Sequence, residues 1–126
     1  MTKTIIATDL APKAVGPYSQ AVRTGDLLFM AGQIPLDPQT GEVVGTDIKT
    51  QTTRVLENIR GVLSSQGLTT QNVVKCTVFL TDLGHFAAMN EVYASYFNSN
   101  PPARTTIQIS KLPKAALIEI EAIAHY

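Results

Sequence analysis

Five residues in this chain have types and settings that could do chemistry without a metal or a covalent nucleophile. Arg104 follows a diproline, in Pro101-Pro102-Ala103-Arg104-Thr105-Thr106. A guanidinium that starts a strand behind so stiff a corner suits bidentate recognition of a carboxylate. An intersubunit ion pair with Glu119 or Glu121 would explain it equally well. Those two glutamates alternate with Ile118 and Ile120 and could supply a base or hold a water. Burial would raise their pKa and a nearby Arg104 would lower it; a solvated strand edge is the plainer reading. Tyr18, fixed by the Gly16-Pro17 turn, could set a phenol over a small ligand or simply pack at a strand start. Gly32, in Ala31-Gly32-Gln33, permits close approach to the backbone, and its N–H could bind a carboxylate; a bulge or strand end is the alternative.

The other reactive types are unpromising. Cys76 sits between Val74 and Val78 and reads as a core cysteine. His85 and His125 stand far apart, with no Ser/His/Asp arrangement and no metal-ligand spacing. No GxGxxG, Walker A or zinc pattern occurs, so neither cofactor nor metal is expected. Ten basic and ten acidic residues cancel, which argues against a phosphate-backbone binder. No apolar run suits a membrane span and no secretory h-region is visible. One cysteine fits a reducing compartment, so a cytoplasmic protein is expected.

These candidates need a scaffold. The 126 residues, 44% hydrophobic and 16% charged, suffice for one domain over 1–126 with a real core. Apolar spacing predicts a helix over 46–66, with Thr46 or Asp47 as N-cap, Gly67 as its C′ residue and Gly61 on the opposite face. A second helix is predicted over 83–97 behind Asp82, with a stripe of Phe86, Met89, Tyr93 and Tyr96 or Phe97. Strands are predicted over 19–24 and 27–33, as a hairpin about Gly25-Asp26, and over 73–81. Two more, over 104–109 and 117–124, form a final pair joined around Pro113. The order β-β-α-β-α-β-β is α+β, a mixed sheet covered on one face by two helices.

With the isoleucines of the last two strands under the helices, Arg104, Glu119 and Glu121 fall together on the other face. That face also receives either Leu27, Phe29 and Ala31 or Leu28 and Met30. Half-apolar and uncovered, it suggests burial against another subunit.

Four segments carry a family resemblance: Gly16-Pro17-Tyr18-Ser19-Gln20, Gly32-Gln33-Ile34-Pro35, Pro102-Ala103-Arg104 and Ile118-Glu119-Ile120-Glu121. With Val74–Leu80 and Phe86–Tyr93 between them, the chain resembles the RidA family of YjgF-type reactive intermediate deaminases along nearly its whole length. The resemblance implies a chorismate-mutase-like fold, a homotrimer and active sites in clefts between subunits. The implied reaction is hydrolysis of 2-imino acids, tautomers of enamines such as 2-aminoacrylate and 2-aminocrotonate, to 2-keto acids and ammonia. Such intermediates escape from pyridoxal-phosphate-dependent dehydratases. By position, Arg104 would bind the substrate carboxylate and Glu119 would place water. Tyr18, Gly32, Ala31 and Asn90 would line the pocket, with Thr105 and Thr106 beside the arginine. Many members carry serine at Ala31 and cysteine at Thr106, so a hydroxyl contact and any thiol behaviour do not transfer. The alternatives are a non-catalytic carboxylate-binding or chaperone-like trimer, and an endoribonuclease, which zero net charge disfavours.

Overall fold

The computed structural model describes residues 2–126. The elements run β1 (Lys3–Ile6), β2 (Ala21–Thr24), β3 (Leu27–Gln33), α1 (Ile48–Ser65), β4 (Val73–Leu80), α2 (Phe86–Tyr96), β5 (Ala103–Gln108) and β6 (Ile118–His125). They form one mixed α+β sheet in the order β1-β2-β3-β6-β4-β5, with α1 and α2 packed against each other. Only β4 and β5 run parallel, joined through α2; every other pairing is antiparallel.

The core lies between sheet and helices. Leu28 and Met30 of β3, Cys76, Val78 and Leu80 of β4, and Ile118, Ile120, Ala122 and Ala124 of β6 face Val55, Leu56, Ile59, Val62 and Leu63 of α1 and Met89 and Tyr93 of α2. Period-two alternation on the strands and period-3.6 on α1 produce this packing. Asp47, not Thr46, caps α1, its carboxylate accepting from Thr50 N at 3.0 Å. Gly67, at φ +70°, ends the helix as expected.

Four expectations change. The sheet has six strands, because β1 pairs with β2 at the edge. The segments 104–109 and 117–124 are not a pair: β4 lies between β5 and β6. Asp82 caps a single 3-10 turn, Leu83–His85, and α2 starts at Phe86. Gly61 is not on a free face, since a Cβ there would stand 2.1 Å from the Leu10 carbonyl oxygen. The segment before β2 therefore crosses α1 in backbone contact.

Buried polar side chains tie the loops down. Gln20, nearly inaccessible, accepts from Thr8 N at 2.6 Å and donates to the carbonyls of Thr8, Ala11 and Pro12. Asn58 of α1 donates to the Ile34 and Leu36 carbonyls. Gln51 donates to Gly45 O and accepts from Leu117 N, tying the start of β6 to α1. The side-chain amides of Gln20, Gln51 and Asn58 are thereby satisfied, that of Asn58 with Arg54 Nε donating to its Oδ1.

Candidate active site

The sheet separates the candidates into two groups. On the face away from the helices, a groove of about 790 Å³ opens among Tyr18, Ala31, Gly32, Ile34, Lys114 and Glu119. β3 shifts register between Met30 and Gln33 opposite β6, a bulge that sets Gly32 beside Glu119. The fit is close: a Cβ on Gly32 would lie 2.3 Å from Glu119 Oε2. Glycine here makes room for a carboxylate of its own chain.

That carboxylate is half-buried. Burial raises its pKa above the ordinary value of 4.5, and the neighbouring negative charge of Glu121 raises it further. No cation lies within salt-bridge distance among the described residues; the ion pairs present there are Lys49–Glu91 and Arg60–Glu57. Glu121 shares the open face but is exposed and does not line the groove. Tyr18 stands at the groove mouth, its hydroxyl accepting from Val15 N at 3.3 Å. Gly16, at φ +124°, makes the turn before it. On the other wall, Lys114 and Ala115 both take left-handed φ, 57° and 55°, with Lys114 Nζ donating to Gly41 O. This bend feeds the chain into β6.

Arg104 is elsewhere. It aligns with Cys76 across β5 and β4, and Cys76 is core, so Arg104 points to the helix face. The expected placement with Glu119 and Glu121 is wrong for one protomer. It followed from putting Ile107 under the helices, whereas Ile107 is 40% exposed on the open face. The guanidinium instead meets α2. Its Nη1 donates to Asn90 Oδ1 at 2.7 Å, and its Cζ stands 4.7 Å from the Tyr93 ring centroid and 5.4 Å from that of Phe86. Among the described residues no carboxylate lies within salt-bridge distance of it. Thr106 is on the same side of β5, its hydroxyl buried without a partner, as is that of Tyr93. Thr105 faces the opposite way, accepting from Lys75 Nζ at 2.8 Å, so it is not beside Arg104 in space.

Cys76 is fully buried, as expected. Burial raises its thiol pKa, against smaller lowering effects from Tyr93, Arg104 and Lys75. The sequence reading missed Phe86 and Tyr93 as neighbours of Arg104, although their spacing with Asn90 at i, i+4 and i+7 puts all three on one side of a helix. Among the described residues no cluster of three or more His, Cys, Asp or Glu forms a metal site, and no helix is long and apolar enough to cross a membrane.

Fold and candidates together define a small α+β protein with a carboxylate groove on one sheet face and an unpaired arginine on the other. A family model described as Endoribonuclease L-PSP matches residues 8–126. A RutC family protein of Pyrococcus abyssi is 55% identical over 125 residues, covering 99% of this chain and 98% of that one. Reactive Intermediate Deaminase A, chloroplastic, of Arabidopsis thaliana is 44% identical over 122 residues, covering 97% of this chain and 65% of that one. The crystal structure of Escherichia coli TdcF with bound serine superposes with a TM-score of 0.93 at 44% identity, covering 98% of each chain. The chain belongs to the YjgF/RidA family.

Proposed function

We propose that this protein is a hydrolytic deaminase that converts 2-imino acids, the tautomers of 2-aminoacrylate and 2-aminocrotonate, to 2-keto acids and ammonia. The observation that carries the reading is a complementary deficiency on two surfaces of one chain. Glu119 is a half-buried carboxylate with no cation, and Arg104 is an oriented guanidinium with no anion. A 2-imino acid supplies a carboxylate for the second and an electrophilic carbon for the first. The two come together when the open face of one protomer meets the Arg104 edge of the next. That face invites association: Ile5, Val22, Phe29 and Ile123 align across β1, β2, β3 and β6, and Phe29 is 42% exposed. The assembly that the family resemblance implies, a homotrimer with three shared clefts, is the one proposed to cover it.

The protonated imine needs little help. Arg104 grips the carboxylate through a planar fork. Glu119, its pKa raised toward working pH, takes a proton from a water as the oxygen bonds to the imine carbon and the C=N π electrons move to nitrogen. The proton passes to the carbinolamine nitrogen. The C–N bond then breaks with its electrons on nitrogen, the C=O bond closes, and the hydroxyl proton leaves with ammonia as ammonium. Tyr18 closes the cleft, while Gly32, Ala31, Asn90 and Thr106 shape it. Placement of this kind contributes up to ~7–11 kcal/mol to lowering a barrier, and acid–base help ~10²–10⁴-fold. A dehydratase acting on threonine or serine is the natural source of substrate, and a cytoplasmic setting suits it.

The test couples purified protein to threonine dehydratase and follows 2-oxobutanoate release against spontaneous decay. Acceleration that is lost in Arg104→Lys supports the reading, because an ammonium cannot reproduce the fork. No acceleration by the wild-type protein, with thermal stabilisation by 2-oxobutanoate, would instead identify a carboxylate-binding module. The family model's description favours a second reading, RNA cleavage, which predicts nuclease activity abolished by Arg104→Ala.

A further inference from the structure

The side of α2 that meets Arg104 is made of Phe86, Asn90 and Tyr93, and none of the three carries charge. Asn90 fixes one nitrogen of the guanidinium through a 2.7 Å hydrogen bond, and the two rings present their faces to its carbon at 5.4 and 4.7 Å. Ring faces attract a cation through their quadrupole but do not neutralise it. A carboxylate at position 90 would hold the guanidinium more tightly and would also compete with any incoming carboxylate. The only ionisable group of the three is the Tyr93 hydroxyl, which burial keeps protonated far above the usual phenol range. It therefore offers Arg104 a ring and no counter-ion.

We propose that Phe86 and Tyr93 are positioning residues, which with Asn90 form a neutral cradle that aims Arg104 while leaving its charge uncompensated for the substrate carboxylate. This rests on the reading of Arg104 as the carboxylate clamp. Phe86 is the better probe because it is 39% exposed, so Phe86→Leu leaves the core intact.

The experiment measures the Kd for 2-oxobutanoate, KM and kcat in the threonine dehydratase assay, and ¹⁵N relaxation of Arg104 Nε without ligand. Phe86→Leu is expected to raise Kd and KM roughly three- to thirtyfold, the range of a partly desolvated cation–π contact, with kcat little changed. Its Arg104 Nε becomes mobile. Asn90→Asp loses at least about tenfold in affinity at pH 7 although its arginine stays rigid. A purely structural role would shift melting temperature and leave KM alone. Wild-type Kd, KM and Arg104 rigidity in Phe86→Leu, or undiminished affinity in Asn90→Asp, overturns the cradle. If the wild-type protein neither binds nor releases 2-oxobutanoate, the deaminase reading fails. The relaxation data, which need no substrate, then decide the cradle separately.

Discussion

If each cleft takes Arg104 from one protomer and Glu119 from its neighbour, two inactive variants will restore each other. In one chain the two residues lie on opposite sheet faces, with β4 between their strands. Arg104 is level with Cys76, which pairs Ala122, three residues from Glu119. Strand spacing and rise then separate their Cα atoms by ~14 Å, with side chains diverging. Arg104→Ala and Glu119→Gln are each expected to be nearly inactive. Unfolded together in equal amounts and refolded, they assemble at random. A working cleft needs an Arg104-bearing chain beside a Glu119-bearing one, so about a quarter of clefts are complete in a heterologous ring. Recovered 2-oxobutanoate release is therefore about a quarter of wild type and varies with mixing ratio as a parabola peaking at equality. A control mixes wild type with the double variant. Shared clefts again give about a quarter, whereas clefts within single chains give about half. A mixture no more active than its parents, with a control near half, would refute the composite site.

Other outcomes follow from the same geometry. Gly32→Ala would drive a methyl group into the Glu119 carboxylate; because the flexible end of that side chain can swing aside, melting temperature changes little while kcat falls sharply. The raised pKa of Glu119 means that folding favours its protonated form. The associated stability is present below about 4.5 and lost as pH rises through the folded pKa. Glu119→Gln is accordingly expected to melt higher than wild type at pH 7, with the gap closing below pH 4.5; melting curves across that range check it. In activity, the acid limb of kcat/KM is expected above 4.5. Gln20→Ala strands the backbone of residues 8–12, whose groups Gln20 satisfies. It should cost about 1–3 kcal/mol by urea unfolding and raise KM, since Pro12 and Lys13 line the groove. Cys76, fully buried, is expected to react with a thiol reagent only once denaturant opens the core.

Where pattern and burial agree, the sequence was a good guide. α1 and β6 repeat or alternate cleanly, and Cys76 is core together with Val78 and Leu80, but a register shift at the start of β4 buries Val73 and turns Val74, read as a core neighbour of Cys76, outward. β5 misleads because it is an edge strand under α2. There the helix-facing row is Arg104, Thr106 and Gln108, with Gln108 Oε1 accepting from Leu83 N, and the isoleucine goes outside. Two-state hydrophobic patterning cannot see a polar row whose partners sit on a helix. The same blindness hides Gln20, Gln51 and Asn58, polar residues inside because they satisfy loop carbonyls. β1 escaped notice since only Ile6 of its four residues is buried. Gly61 looked like a weak point in a helix when it is a crossing point for the chain. The candidate residues could be picked out one by one, but their division between two faces depends on strand order and register, which no local spacing encodes.

β6 follows every other described strand in sequence yet takes the fourth place in the sheet, inserted between β3 and β4. During synthesis the hairpin of β2 and β3 and the β4-α2-β5 unit leave the ribosome with a slot between them. Each exposes an unpaired backbone edge until the C-terminal residues emerge. Glu119 rides on that closing strand, so a nascent chain acquires the carboxylate of its groove and its completed sheet in one step. Loss of even the final ten residues would leave two fragments prone to pair with other chains.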